Sequence, residues 1–84
     1  EVLINMIENI IESDEKVLIF TQYVKMGEIM KELIEEKFNT EVLFLHGSLS
    51  RMKRDELIDK FQNNSQNKIF ILSIYIEIIL FLML

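Results

Sequence analysis

Three short polar steps in this sequence each follow an uninterrupted apolar run: Thr21-Gln22-Tyr23 after Val17–Phe20, His46-Gly47-Ser48 after Val42–Leu45, and Ser73 after Ile69–Leu72. Hydroxyls, an amide and backbone N–H groups at such positions can hold an anion, above all where a helix begins directly afterwards. After the second step the charged run Arg51-Met52-Lys53-Arg54-Asp55-Glu56 opens a helix, with Ser48 and Ser50 ready to cap it. Gly47 is read as the residue that lets the chain turn tightly there. Grip on phosphate is the chemistry these residues suit. Catalysis has less to stand on. His46 has no nucleophile or carboxylate partner recognisable by motif, so it reads as a turn residue before it reads as a general base.

The elements that position these steps follow from periodicity. Leu3, Met6, Ile7, Ile10 and Ile11 recur at helical spacing over residues 1–13. Met26, Ile29, Met30, Leu33 and Ile34 mark a second helix from about Val24, with Gly27 near its start, and Leu57, Ile58 and Phe61 mark a third over about 50–62. The apolar runs between them do not alternate, which suits strands covered on both faces. The expected fold class is therefore α/β, in the order α-β-α-β-α-β, with a parallel three-strand sheet and right-handed crossovers. In such sheets ligands bind at the carboxyl ends of the strands, where all three polar steps fall.

Composition bounds the function. The chain has 84 residues, half of them apolar and 27% charged, which is the profile of one small globular domain. A net charge of −5 argues against a generally basic nucleic-acid binder, so any grip on phosphate must be local. Arg51, Lys53 and Arg54 form such a local cluster, although Asp55, Glu56 and Asp59 can neutralise it as an ordinary solvated helix face. There is no cysteine, hence no disulfide and no thiolate metal site, and no charged-then-apolar signal peptide opens the sequence. A cytoplasmic location is expected.

Lys16-Val17-Leu18-Ile19-Phe20-Thr21-Gln22-Tyr23, then Leu45-His46-Gly47-Ser48-Leu49 with Arg54 and Phe61, then Ile71-Leu72-Ser73, together resemble the second RecA-like lobe of superfamily-two helicases. The Swi/Snf branch of ATP-dependent double-stranded-DNA translocases is the nearest match, over residues 1–73. The resemblance implies a partial RecA-like domain of the P-loop NTPase type. It implies that Thr21, Gln22 and Tyr23 (helicase motif IV) and His46, Gly47, Ser48 and Arg54 (the next motif) face the nucleic-acid backbone. It also implies a partner lobe, the N-terminal RecA-like one, and ATP with Mg as the cofactors of a complete family protein. Uncharged donors and a cation meeting phosphates give grip without base readout.

The departures are as specific. The family follows the third strand with a glycine-rich loop and, later, arginines that reach ATP; here no glycine follows Gly47 and no arginine follows Arg54. No Gly-x-x-x-x-Gly-Lys-Ser/Thr loop and no Mg-holding acidic pair after a strand is present, so no cofactor is expected in this chain and it should not hydrolyse ATP alone. Residues 74–84 form an apolar tail that does not match the family and is read as a shifted reading frame or truncated gene end. A membrane partner is not expected: 69–84 falls short of about 20 apolar residues and contains Glu77. The alternative to a translocase fragment is a small non-enzymatic α/β module or an inert truncated gene product. A phosphoacceptor receiver is disfavoured, since it needs acidic residues at its strand ends.

Overall fold

A computed structural model describes residues 2–73; the tail read over 74–84 lies outside the described residues. The elements alternate as expected: α1 (Val2–Ser13), β1 (Val17–Phe20), α2 (Val24–Phe38), β2 (Leu43–His46), α3 (Arg51–Asn63) and β3 (Ile69–Ser73). The strands form one parallel sheet in the order β1-β3-β2. The last strand thus occupies the centre, with Leu18 beside Phe70 on one side and Leu43 beside Phe70 on the other. No helix among the described residues is long and apolar enough to cross a membrane.

Two apolar layers sandwich the sheet. On one face Ile7 of α1 and Ile34 of α2 meet Val42, Ile69 and Ile71. On the other, Leu57, Ile58 and Phe61 of α3 pack on Leu43, Leu45, Phe70 and Leu72. The rings of Phe61 and Phe70 sit 5.1 Å apart at a tilt of 56°, a geometry aromatic pairs favour. Every residue of β3 is buried. β1 is not. Coverage of both faces was expected for all three strands, yet Leu18 is 41% and Phe20 53% exposed, because among the described residues α3 alone covers that face, and it packs over β2 and β3. The apolar stripe of α2 also divides: Ile34 is buried, whereas Met26, Ile29 and Leu33 lie at its exposed margin. One helix face cannot turn a stripe that wide fully inward.

Helix ends are fixed by local chemistry. Ser50 caps α3 by accepting the Lys53 N–H at 3.1 Å, and Asn39 ends α2 in the left-handed conformation with φ 50°. The Lys16 ammonium donates to the carbonyls of Phe61 and Asn64 at the C-terminal end of α3 and lies 4.9 Å from the Phe61 ring centre. A cation there complements the helix dipole and ties the start of β1 to α3.

Gly27 is required by contact. A Cβ at this position would lie 2.5 Å from the Phe44 ring, so α2 approaches β2 closely only because no side chain intervenes. Gly27→Val is expected to destabilise the fold by about 1–3 kcal/mol through overpacking. Gly47→Val, with nothing within 4 Å of its Cβ position, should change stability by less than about 0.5 kcal/mol. Urea denaturation followed by circular dichroism checks the pair, and equal losses would contradict the packing described.

Glu41 joins the two loops on the far side of the sheet, accepting from Asn67 Nδ2 at 2.8 Å and Lys60 Nζ at 3.0 Å. The bond from Asn67, then that from Lys60, holds its carboxyl below the usual carboxylate range. Asp14 is lowered likewise by its hydrogen bond and charge interaction with Lys68. Both groups bind their protons more weakly when folded, so their stabilisation is present above the ordinary carboxylate pKa of about 4 and fades as pH falls through the lower folded values. Urea midpoints of the wild type and Glu41→Gln should therefore differ at neutral pH and converge as pH falls below the ordinary carboxylate range.

Candidate nucleic-acid interface

The register brings the three polar steps to one edge. His46 pairs with Ser73 across β2 and β3, and the Thr21 N–H donates to Leu72 O at 2.9 Å across β1 and β3. The carboxyl edge of the sheet therefore reads Thr21, Ser73, His46, spanning about 10 Å at ordinary strand spacing. Both α2 and α3 begin at this edge. The first intrahelical bonds are Gly27 N–H to Tyr23 O and Arg54 N–H to Ser50 O. The N–H groups of Val24, Lys25, Met26, Arg51 and Met52 have no partner among the described residues, giving the edge two partly positive helix ends.

Each predicted site residue can be placed. Thr21 is half-buried, and its Oγ1 accepts the Tyr23 N–H at 3.3 Å, shaping the turn into α2. Gln22 and Tyr23 are exposed, and Tyr23 precedes α2 without a side-chain cap. His46 faces the α2 side of the sheet, its ring 5.3 Å from that of Phe44. Ser48 Oγ lies 2.8 Å from His46 Nδ1, a contact that fixes the imidazole and the hydroxyl together above β2. Among the described residues no third group orients this pair into the relay a nucleophilic serine needs. Ser73 is 6% exposed and belongs to the floor rather than the surface.

Gly47 differs from expectation. The turn was read as needing glycine's freedom, but no glycine among the described residues has a positive φ. The turn is closed by Leu49 N–H to His46 O at 3.3 Å, a conformation other residues can adopt. What glycine leaves at 47 is open space, which lets a large group approach the backbone.

The cationic cluster also separates. Arg51 pairs with Asp55 at 4.0 Å and Lys53 with Glu56 at 3.7 Å, all on the solvated side of α3. Arg54 is half-buried, and its Nε is shut off from solvent with no hydrogen-bond partner among the described residues. The sequence carries the signal for this difference: positions 54, 57, 58 and 61 share one helical stripe, so Arg54 continues the inward row of Leu57, Ile58 and Phe61 to the sheet edge. The surface links through Lys16 and Glu41 have no comparable signal, since both join residues distant in sequence.

No group of three or more His, Asp or Glu side chains able to hold a metal forms among the described residues. These residues do not fit a Mg–ATP site by themselves.

A parallel sheet with helices on both faces and a donor-rich carboxyl edge defines an open α/β lobe whose ligand side is that edge. Residues 1–76 match the family described as the helicase conserved C-terminal domain, and the chain belongs to that family. It is 48% identical over 62 residues to YwqA of Bacillus subtilis, a candidate ATP-dependent helicase/translocase, covering 74% of this chain and 7% of that protein. It is 42% identical over 64 residues to the SNF2 domain-containing protein CLASSY 3 of Arabidopsis thaliana, covering 70% of this chain and 4% of that one. Among solved structures, the Sulfolobus solfataricus SWI2/SNF2 ATPase C-terminal domain superposes with a TM-score of 0.83 at 46% identity, over 86% of this chain and 32% of that one. The core of the same ATPase in complex with double-stranded DNA superposes with the same TM-score over 15% of its chain. The chain thus spans less than a tenth of the length of either relative.

Proposed function

We propose that this chain is the backbone-gripping part of a helicase C-terminal lobe, holding double-stranded DNA through phosphates without reading sequence. The alignment of Thr21, Ser73 and His46 on one sheet edge, under two helix N-termini, carries this reading. Thr21, Gln22, Tyr23, His46, Gly47 and Ser48 offer neutral donors and an open backbone. Arg54 offers a cation not already paired to a carboxylate among the described residues. The relative solved with double-stranded DNA supports the choice of ligand.

The same reading makes the chain a passive element of an ATP-driven protein. Phosphoryl transfer needs the metal, the phosphates and a cationic finger positioned together. The sequence has no phosphate loop, and a partner lobe, the N-terminal RecA-like one, would supply ATP and Mg contacts in a complete protein. ATP hydrolysis by the isolated chain is expected at background.

Fluorescence titration of a labelled duplex with the chain tests the proposal. Saturable binding that weakens linearly in log–log form as salt rises, alike for unrelated duplex sequences, is expected. Absence of binding at about 50 mM salt would instead favour a non-enzymatic module with no nucleic-acid partner.

A further inference from the structure

Beside β2 runs a cleft that the phosphate grip does not use. Helix α2 flanks it from one face of the sheet and α3 from the other. It encloses about 200 Å³, with Phe44, Leu49 and Leu57 among its apolar lining and Lys31, Lys53 and Lys60 at its rim. Glu41 is the one acid that lines it. Three ammonium groups thus face a single carboxylate.

That carboxylate is already engaged. Its Oε1 accepts from Asn67 at 2.8 Å and its Oε2 from Lys60 at 3.0 Å. Lys31 makes no ion pair among the described residues. Lys53 shares only a solvated pair with Glu56 at 3.7 Å, a contact that costs little to exchange. The cleft is therefore a local positive field on a chain whose net charge is −5. An acidic ligand is repelled by most of this surface and drawn to the cleft.

The lining narrows the ligand further. No arginine contributes to it, so the forked donors that grip a phosphate in two places are missing. The Val42 N–H is taken by Glu35 Oε2 at 3.0 Å, which works against an added strand at this edge. An apolar cover is equally unsuited, since it would bury three ammonium groups. Separate point charges around an apolar floor match carboxylates spread about an apolar side chain. From this match we infer that the cleft docks an acidic peptide segment. One apolar side chain of the segment sits against Phe44, Leu49 and Leu57, and its carboxylates meet Lys31, Lys53 and Lys60. The inference does not rest on the nucleic-acid reading, which concerns the carboxyl edge of the sheet.

NMR titration of the full chain with the capped peptide Glu-Glu-Leu-Leu-Glu-Glu tests it. The comparison ligands are Gln-Gln-Leu-Leu-Gln-Gln, Glu-Glu-Ser-Ser-Glu-Glu and inorganic phosphate. Saturable shifts are expected at Lys31, Phe44, Leu49, Lys53 and Leu57, weakening as salt rises. Binding should be about tenfold weaker or worse for either comparison peptide, and likewise for the chain carrying Lys31→Gln with Lys53→Gln. Absence of shifts in the cleft overturns the inference, as does equal binding of the glutamine peptide. Equal binding of the serine peptide, or phosphate shifting the cleft as strongly as the acidic peptide, reduces it to a site for any small anion and overturns it too. Indifference to the double substitution does the same. If the double variant loses its far-ultraviolet spectrum, the ranking of the ligands on the wild type decides.

Discussion

Ile71→Ala is expected to remove about 2–5 kcal/mol of stability, the largest single effect in the molecule. Ile71 is fully buried in the central strand, beneath α1 and α2, beside Ile19 and Phe44. Truncation leaves a cavity that neither neighbouring strand can close, because each is held by its own register to β3. A chain of this size has a total stability of only about 5–15 kcal/mol, so the variant should be substantially unfolded at moderate urea. Met52→Ala, at a site 81% exposed on α3, is the matched control and should stay within about 0.5 kcal/mol of wild type. A loss below about 1 kcal/mol for Ile71→Ala would mean that β3 is not the centre of the core.

Arg54→Ala is expected to have the largest effect on DNA. Loss of one charge-assisted phosphate contact should weaken binding about tenfold at low salt. It should also lower the salt slope by about 1, uniformly across duplex sequences. Arg51→Ala should cost much less, because Arg51 already shares a solvated pair with Asp55. The contrast separates a placed cation from a generally basic surface. If the two substitutions weaken binding equally, Arg54 has no special position. Ser48→Ala adds a distinct readout: it removes the 2.8 Å contact to His46 Nδ1, so the imidazole resonances should shift with the binding loss.

Much of the fold was legible because apolar runs and helical stripes alternate cleanly along the chain. Sheet order was not. Val17–Phe20 and Ile69–Leu72 are equally apolar, and only the long-range pairing that inserts β3 between β1 and β2 makes one an edge and the other the centre. The exposure of Leu18 and Phe20 was illegible for the same reason, as it depends on how far α3 reaches. The two glycines show where local reading fails. Gly47 sits in a turn and looks conformationally necessary, yet its φ is ordinary. Gly27 looks like a flaw in a helix, yet it alone lets α2 reach Phe44. At the site, the types and order of the polar steps were readable, whereas the separation of Arg54 from Arg51 and Lys53 needed the packing of α3.

In the proposed function the carboxyl edge of the sheet is the surface that meets the DNA backbone. Amide chemical-shift mapping by NMR during titration with a short duplex measures this directly. The largest changes are expected at Thr21–Val24, Gly47–Ser50 and Arg51–Met52, with the Arg54 Nε–H resonance moving alongside them. Shifts centred instead on Lys31, Lys53 and Lys60 beside β2, with the carboxyl edge silent, would contradict the account.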